Sequence, residues 1–495
     1  LMIGLGVGVD YALFIVTRFR ENYRSGGGDV TAAVEAAMNT SGRAVLFAGA
    51  TVVIALLGMF ALGVSLLNGA AVAASIGVAL VLSASLTLLP ALLSLVGHRI
   101  GATGGRRGAP IAGDTRPQFW LRWVTRVQRR PAVIAAAATA LMLALAAPAL
   151  GLRLASSDAG NDPAGQTTRQ AYDLLARGFG PGFNGPLQLA VALPRPHDGA
   201  ALTQLENAVR STPGIASVAT PRLNASGTAA AVVAYPTAAP QSAQTSAVVT
   251  RLRDHVIPPL ERTSGARVYV GGSTAAQVDF SHVLSSKLPL FIAVVIGLAA
   301  LLLLVVFRSF VIPVQAAVMN LLSIAASLGV VQAVFERGWL GGLFGVQRGP
   351  IDAFIPVLAF AIVFGLSMDY EVFLVSRVHE EWQTRRDATA AIREGLARTG
   401  RVITAAAAVM IAVFGAFAIS GNRVLEMFGL AMASAVFLDA IVVRMLLLPA
   451  VLQLMGSTTW RLPRWLERRL PRVALEGGPV PKPRHHLEPA YEANS

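Results

Sequence analysis

Read along its length, the chain alternates long apolar stretches with short polar, arginine-rich ones. Nine stretches lie at roughly 1–19, 43–64, 70–97, 131–152, 287–307, 310–335, 352–376, 401–420 and 426–455. Each approaches the ~20 apolar residues that a bilayer-spanning helix needs. One long polar island, 153–286, interrupts them, and its periodicity changes several times. Helical QTTRQAYDLLARGF (166–179) is followed by strand-like PLQLAVALP (186–194) and helical GAALTQLENAVRS (199–211). Strand patterns at 215–220 and 227–236, a helix at 241–261 and a strand at 266–272 complete the island. The order β-α-β-β-α-β predicts a ferredoxin-like, split βαβ unit. The expected fold is an α-helical polytopic membrane protein carrying one α+β domain.

The charges then orient the spans. Segment 98–130 carries Arg99, Arg106, Arg107, Arg116, Arg122, Arg126, Arg129 and Arg130 against the single acid Asp114. The tail from 456 holds seven basic residues. Positively charged loops stay in the cytoplasm, as do the Arg-rich loops at 18–42 and 377–400. The short, nearly uncharged turns near 64–69 and 421–425 fall outside. The chain therefore divides into spans of a first repeat (1–97), a basic cytoplasmic linker (98–130) and one further span (131–152). The extracytoplasmic domain (153–286), the spans of a second repeat (287–455) and a basic cytoplasmic tail (456–495) follow. Phe119, Trp120, Trp123 and Val127 sit at helical spacing among arginines, as do the apolar residues of RLPRWLERRLPR (461–472). Both fit an amphipathic helix on the inner membrane surface, and simple positive-inside flanking explains them equally well.

Composition narrows the function classes. With 54% hydrophobic and 14% charged residues and a mean hydropathy of +0.59, this is membrane composition. The net charge of +14 comes almost wholly from arginine, since Lys287 and Lys482 are the only lysines. No aromatic-basic interleaving points to nucleic acid. The absence of cysteine excludes disulfides, thiolate metal sites and cysteine nucleophiles. Histidines 197, 255 and 282 are scattered, and nothing supports an enzyme. The Arg-, Ala- and Gly-heavy usage resembles that of a GC-rich bacterium such as an actinobacterium.

The candidate chemistry lies inside the apolar stretches. Asp10-Tyr11 in LMIGLGVGVDYALFIVTRFRE recurs as Asp369-Tyr370 in FAIVFGLSMDYEVFLVSRVHE. At an offset of 359 the two also share Gly6/Gly365, Phe14/Phe373, Arg18/Arg377 and Glu21/Glu380. A carboxylate at mid-membrane costs at least ~2.5 kcal/mol and usually marks function. SGRAVLFAGATVVIALLGMFALG (41–63) likewise resembles TGRVITAAAAVMIAVFGAFAISG (399–421), and LLPALLSLVG (88–97) resembles LLPAVLQLMG (447–456). The two Asp-Tyr helices are the first and seventh stretches, an even step of six, so both run in the same direction and the duplication is parallel, a transporter architecture. Adjacent residues on a helix point ~100° apart, so each Asp is expected to meet the other helix's Tyr and accept its hydrogen bond. Phe14 and Phe373, one turn on, are expected to pack beside the pairs. Asp439 and Arg444 in the last span either join a proton relay or pair with each other. Glu371, whose counterpart is Ala12, is open in the same way.

On these residues the chain resembles the mycobacterial membrane protein large (MMPL) family of the resistance-nodulation-division superfamily. GVGVDYALFIVTRFRE, SGRAVLFAG, SSDAGNDP (156–163), FGLSMDYEVFLVSRVHEEW and FLDAIVVRMLLLPA carry the likeness over nearly the whole chain. The resemblance implies twelve spanning helices and two extracytoplasmic porter domains, with Leu1 at the start of the fourth helix. A reading frame extending upstream is therefore expected. It implies export of lipids or hydrophobic compounds across the inner membrane by proton antiport; an apolar path between helices and a porter domain fits glycolipids, drugs or siderophores alike. Protons are the coupling ion, the two Asp-Tyr pairs the relay, and no cofactor is called for. Membrane lipids, accessory envelope proteins and a homo-oligomer are the partners such a machine admits. The alternatives are a non-transporting, lipid-sensing scaffold and an inactive truncated transporter. The topology is testable: reporter fusions at Gly227 and Gly104 should give opposite sidedness, and equal signals at both would overturn it.

Overall fold

In the computed structural model, which describes residues 2–102, 118–339 and 348–460, both halves of the membrane part begin a helix with the same device. Helix α1 (Met2–Ser25) gives way to α2 (Val30–Ala37), where the Asp29 carboxylate accepts from the N–H groups of Thr31 and Ala32 at 2.9 and 3.1 Å. In the second half, Asp387 accepts from Thr389 and Ala390 at 2.9 and 3.2 Å. A carboxylate there satisfies N–H groups that have no partner within the helix. The residue before each cap is left-handed, Gly28 at φ +90° and Arg386 at φ +53°. The second copy thus holds a side chain where glycine suits the backbone, and Arg386 stacks its guanidinium on Trp382 at 4.6 Å.

A π-helical turn, Met38–Gly42, joins α2 to α3 (Arg43–Leu57). Then come α4 (Ser65–Ala102), α5 (Gln118–Arg129) and α6 (Pro131–Ala146). Past the polar island the bundle resumes with α11 (Ser273–Phe307), α12 (Val311–Phe335), α13 (Phe354–Arg385), α14 (Ala388–Phe417) and α15 (Arg423–Phe437). A ten-residue π-helical turn, Leu438–Leu447, leads from α15 into α16 (Leu448–Met455). Among the described residues, eight helical runs are long and apolar enough to cross a membrane, beginning at Val30, Ser65, Pro131, Ser273, Val311, Phe354, Ala388 and Arg423. Helix α1 lies beside them, outside that count. Helix α13 is the central one, buried along most of its length.

The sequence-based boundaries shift in two places. The turn expected at 64–69 is shorter, because α4 already starts at Ser65 after a left-handed Gly63. The boundary expected at 286 falls inside α11, which runs unbroken from the soluble unit into the bundle.

Within the island, α7 (Thr167–Phe179) precedes β2 (Leu187–Ala192), α8 (Gly199–Arg210), β3 (Ile215–Val218), a short β4 (Arg222–Leu223) and β5 (Ala229–Pro236). Helices α9 (Ala243–Arg251) and α10 (Ile257–Ser264) and strand β6 (Arg267–Gly271) follow. The single helix expected at 241–261 contains a π-helical turn, Leu252–Val256, just ahead of Pro258 and Pro259. Prolines have no N–H to donate, and the wider turn carries the helix past them. The sheet runs β3-β5-β2-β6, all neighbours antiparallel. Strand β2 alternates buried and exposed residues, and Leu187, Leu189 and Val191 share one apolar core with Leu202, Leu205 and Val209 of α8. A separate parallel pair ties β1 (Leu154–Ala155) to β7 (Ile351–Asp352) just before α13.

Helix α5 forms where its amphipathic pattern predicts, and part of its apolar face packs against the bundle while Phe119 stays exposed. The Trp123 indole donates to the Met445 carbonyl at 3.0 Å, Gln128 donates to the Thr389 carbonyl at 2.9 Å, and Val124 and Val127 are buried. The second amphipathic stretch, 461–472, lies outside the described residues.

Close helix approach depends on glycine. A Cβ at Gly329 of α12 would sit 1.9 Å from the Leu145 carbonyl oxygen of α6, whereas one at Gly415 would meet nothing within 4 Å. Gly329→Ala should therefore cost about 1–3 kcal/mol through overpacking and lower the thermal midpoint of the detergent-solubilised protein. Gly415→Ala should leave that midpoint unchanged or raise it.

Candidate functional site

The two Asp-Tyr helices meet through aromatic side chains. Phe14 of α1 packs edge-on against Phe373 of α13 with ring centroids 4.6 Å apart, and lies 6.2 Å from the Tyr370 ring. Asp10, Tyr11, Asp369 and Tyr370 are all buried. Asp10 lies beside Tyr370, and Asp369 beside Tyr11, the crossed arrangement that the 100° helical step favours. The expected Tyr-to-Asp hydrogen bonds are not closed in this arrangement. Neither oxygen of Asp10 nor the Tyr11 hydroxyl has a hydrogen-bond partner among the described residues. The Tyr370 hydroxyl is turned toward Met410 Sδ at 3.7 Å.

Asp369 has a neighbour that its sequence context does not announce. Thr51 Oγ1 of α3 stands 3.3 Å from Asp369 Oδ1 and 2.6 Å from the Ala48 carbonyl. A hydroxyl has one hydrogen and two lone pairs. When it donates to Ala48, Thr51 is left as an acceptor toward a protonated Asp369. When it turns, it donates to the ionised form. Gly365, one turn before Asp369, allows this approach, since a Cβ there would lie 2.9 Å from Val52 Cα. At an offset of 358, which pairs Asp29 with Asp387 and Gly42 with Gly400, Thr51 corresponds to Val409. Asp10 has no equivalent hydroxyl.

A second buried cluster adjoins the first. Arg444 Nη1 is 3.2 Å from Glu371 Oε2, and its Nε is 3.4 Å from Asp439 Oδ2. Arg444 Nη2 donates to the Ser367 carbonyl and hydroxyl at 2.5 and 2.7 Å, and the Ser367 hydroxyl donates to Asn320 Oδ1 at 2.5 Å. The π-helical turn explains how Asp439 and Arg444 meet. Five residues apart, they would point ~140° apart on an α-helix, whereas i→i+5 bonding sets such residues one above the other. The structure thus gathers Asp439, Arg444 and Glu371 into one charge cluster within electrostatic range of Asp369. Thr51, Ser367 and Asn320 are the members that sequence reasoning missed. Their only signal was a polar side chain within an apolar helix.

Residues 1–134 and 196–483 match the model of the MMPL family. The chain belongs to the MMPL family. It is 36% identical over 485 residues to membrane protein YdfJ of Bacillus subtilis, covering 97% of this chain and 65% of the relative. The mycolic acid-containing lipids exporter MmpL11 of Mycolicibacterium smegmatis is 36% identical, covering 97% of this chain and 51% of that protein. The trehalose monomycolate exporter MmpL3 of Mycobacterium tuberculosis is 32% identical over 96% of this chain and 53% of its own length. This MMPL chain thus spans about half the length of its MmpL relatives. In fold it resembles crystal structures of SecDF, a translocon-associated membrane protein. One of them, from Thermus thermophilus, has a TM-score of 0.51 at 15% identity and covers 92% of this chain and 54% of that chain. The other, in a super-membrane-facing form, has a TM-score of 0.50 at 17% identity.

The two clusters should respond differently to neutral substitutions. Arg444→Leu leaves Asp439 and Glu371 buried without their cation, which typically costs about 3–5 kcal/mol. Asp10→Asn breaks no hydrogen bond. Thermal stability in detergent and the amount of membrane-inserted protein should fall sharply for Arg444→Leu and stay parental for Asp10→Asn.

Proposed function

We propose that this MMPL chain belongs to a proton-motive-force-driven exporter of lipids or other hydrophobic compounds across the bacterial inner membrane, with Asp10, Tyr11, Asp369 and Tyr370 as its proton relay. The observation that carries the reading is the crossing of two buried Asp-Tyr pairs, one from each half of the bundle, with carboxylate oxygens left unpartnered. In the joined clusters four acids, Asp10, Asp369, Glu371 and Asp439, face one base, Arg444. An uncompensated buried charge is prohibitively expensive, and such an excess of acids over bases is what a proton-binding site requires. The names of MmpL11 and MmpL3 as lipid exporters support a lipid or glycolipid cargo.

In this reading a proton reaching Asp369 reverses its exchange with Thr51. The ionised carboxylate accepts from the hydroxyls of Thr51 and Tyr11. The protonated one donates to Thr51, whose own hydrogen then rests on Ala48. Loading and release therefore change how tightly α3 and α1 are held against α13. One proton moving down the membrane potential supplies ~2.3 kcal/mol per 100 mV. Among the described residues this reading takes α1 as a ninth span beside the eight. The sheet order β3-β5-β2-β6 supports reading the α+β unit as a ferredoxin-like porter domain, which in this reading faces the extracytoplasmic side with the C-terminus in the cytoplasm. Glu371, Asp439 and Arg444 hold α13 and the π-helical turn in register, and Phe14 and Phe373 set the spacing of the pairs.

The test is export of a labelled glycolipid from liposomes with an imposed pH gradient. Asp369→Asn, which keeps size and polarity but cannot titrate, should reduce gradient-dependent export by about a hundredfold or more, as for other essential proton-transfer groups. Tyr11→Phe and Tyr370→Phe should reduce it less, since water can replace a hydroxyl. An Asp369→Asn protein exporting at the parental rate would overturn the relay.

A further inference from the structure

The stretch SSDAGNDP (156–163) is not part of the proposed relay, yet its side chains join the soluble unit to the bundle at one point. Two consecutive residues face opposite ways. The Ser157 N–H and hydroxyl donate to the two carboxylate oxygens of Asp352, both at 2.9 Å. The same hydroxyl oxygen accepts from Arg423 Nε at 3.3 Å. Arg423 also donates to the Pro350 carbonyl at 3.1 Å, and its guanidinium lies 5.2 Å from the Phe335 ring at the end of α12. Asp352 stands two residues before α13, the helix of Asp369 and Glu371. Arg423 opens α15, which leads to Asp439 and Arg444. One serine therefore holds the outer ends of both helices that carry the second buried cluster.

The next residue faces the domain. Asp158 Oδ1 accepts from Gln241 Nε2 at 3.1 Å, and Oδ2 accepts from the Tyr172 hydroxyl at 3.3 Å. Arg169 of α7 donates to the Gly160 carbonyl at 2.6 Å. Asn161 returns to the bundle side, donating to the Arg348 carbonyl at 3.1 Å. We infer that Ser157 and Asp158 form the joint through which movement of α13 and α15 reaches the soluble domain. They are positioning residues that couple the relay to the domain without touching protons or cargo. The inference rests on the transport reading above.

Helix α11 offers a rival route, since it is continuous with β6 and bound through Arg253, which pairs with Asp279 and donates to the Val270 carbonyl at 2.8 Å. The chain has no cysteine, so two can be introduced without background. Ala225→Cys in the soluble domain and Ile419→Cys at the outer end of α14 are exposed, and nitroxide labels there report the distance between the two parts in the full chain in liposomes. Asp369→Asn, which fixes the neutral state, should displace the distance peak. Ser157→Ala and Asp158→Ala should each abolish that displacement, and the double variant should do no more than either alone, as for two links in series. Arg253→Ala should leave it intact. If Asp158→Ala fails to fold, Tyr172→Phe cuts the same end by one hydroxyl and should diminish the displacement. Survival of the displacement in both Ser157→Ala and Asp158→Ala overturns the joint, as does its loss in Arg253→Ala. No displacement with Asp369→Asn also overturns it. Glycolipid export in the same liposomes then distinguishes failure of the joint, where gradient-dependent export persists, from failure of the transport reading, where the parental chain shows none.

Discussion

A carboxylate placed among packed apolar helices must find a cation, a set of donors or a proton, and the middle of this bundle is arranged around that demand. Asp439 and Glu371 find a cation in Arg444, which is itself held by Ser367. Asp369 finds only Thr51, and Asp10 finds no hydrogen-bond partner among the described residues. The four acids thus form a gradient of satisfaction within one continuous core. The satisfied end is structural in character. At the other end, Asp10 and one oxygen of Asp369 are left without a hydrogen-bond partner among the described residues.

The duplication makes the asymmetry informative. The two Asp-Tyr helices share sequence, the two following helices share an Asp cap, and Gly42 recurs as Gly400. Within that frame, Thr51 answers to Val409 and Ala12 to Glu371. A strictly symmetric pair of carboxylates would be loaded equally from either side of the pseudo-axis. Giving one of them a hydroxyl neighbour and a nearby arginine makes the two chemically distinct.

Geometry also ties the buried site to the α+β domain. Helix α13 begins at the parallel β1–β7 pair and α15 begins at Arg423, and both starts converge on Ser157. Helices are stiff along their axes, so a change of packing around Asp369 has a direct path to the point where the domain is fastened. The unbroken α11 gives a second connection of a different kind, covalent and continuous rather than hydrogen-bonded.

By itself the sequence determined the positions of the long apolar helices, the order of strands and helices in the polar island, the twofold repetition and the Asp-Tyr pairs. These follow from local quantities: hydrophobic periodicity, helix caps and charges that stand out against an apolar background. The tertiary structure alone decided which polar groups meet. Thr51 and Asp369 are 318 residues apart, and neither stretch carries a local mark of the other. Arg444 reaches Asp439 only because the backbone widens into a π-helical turn, which no periodicity in FLDAIVVRMLLLPA reveals. The Tyr hydroxyls lie near the opposite carboxylates without closing hydrogen bonds, and the Tyr370 hydroxyl is turned toward Met410 instead. The role of Ser157 was hidden for the same reason: a serine in a polar stretch is ordinary until two distant helix ends fold onto it.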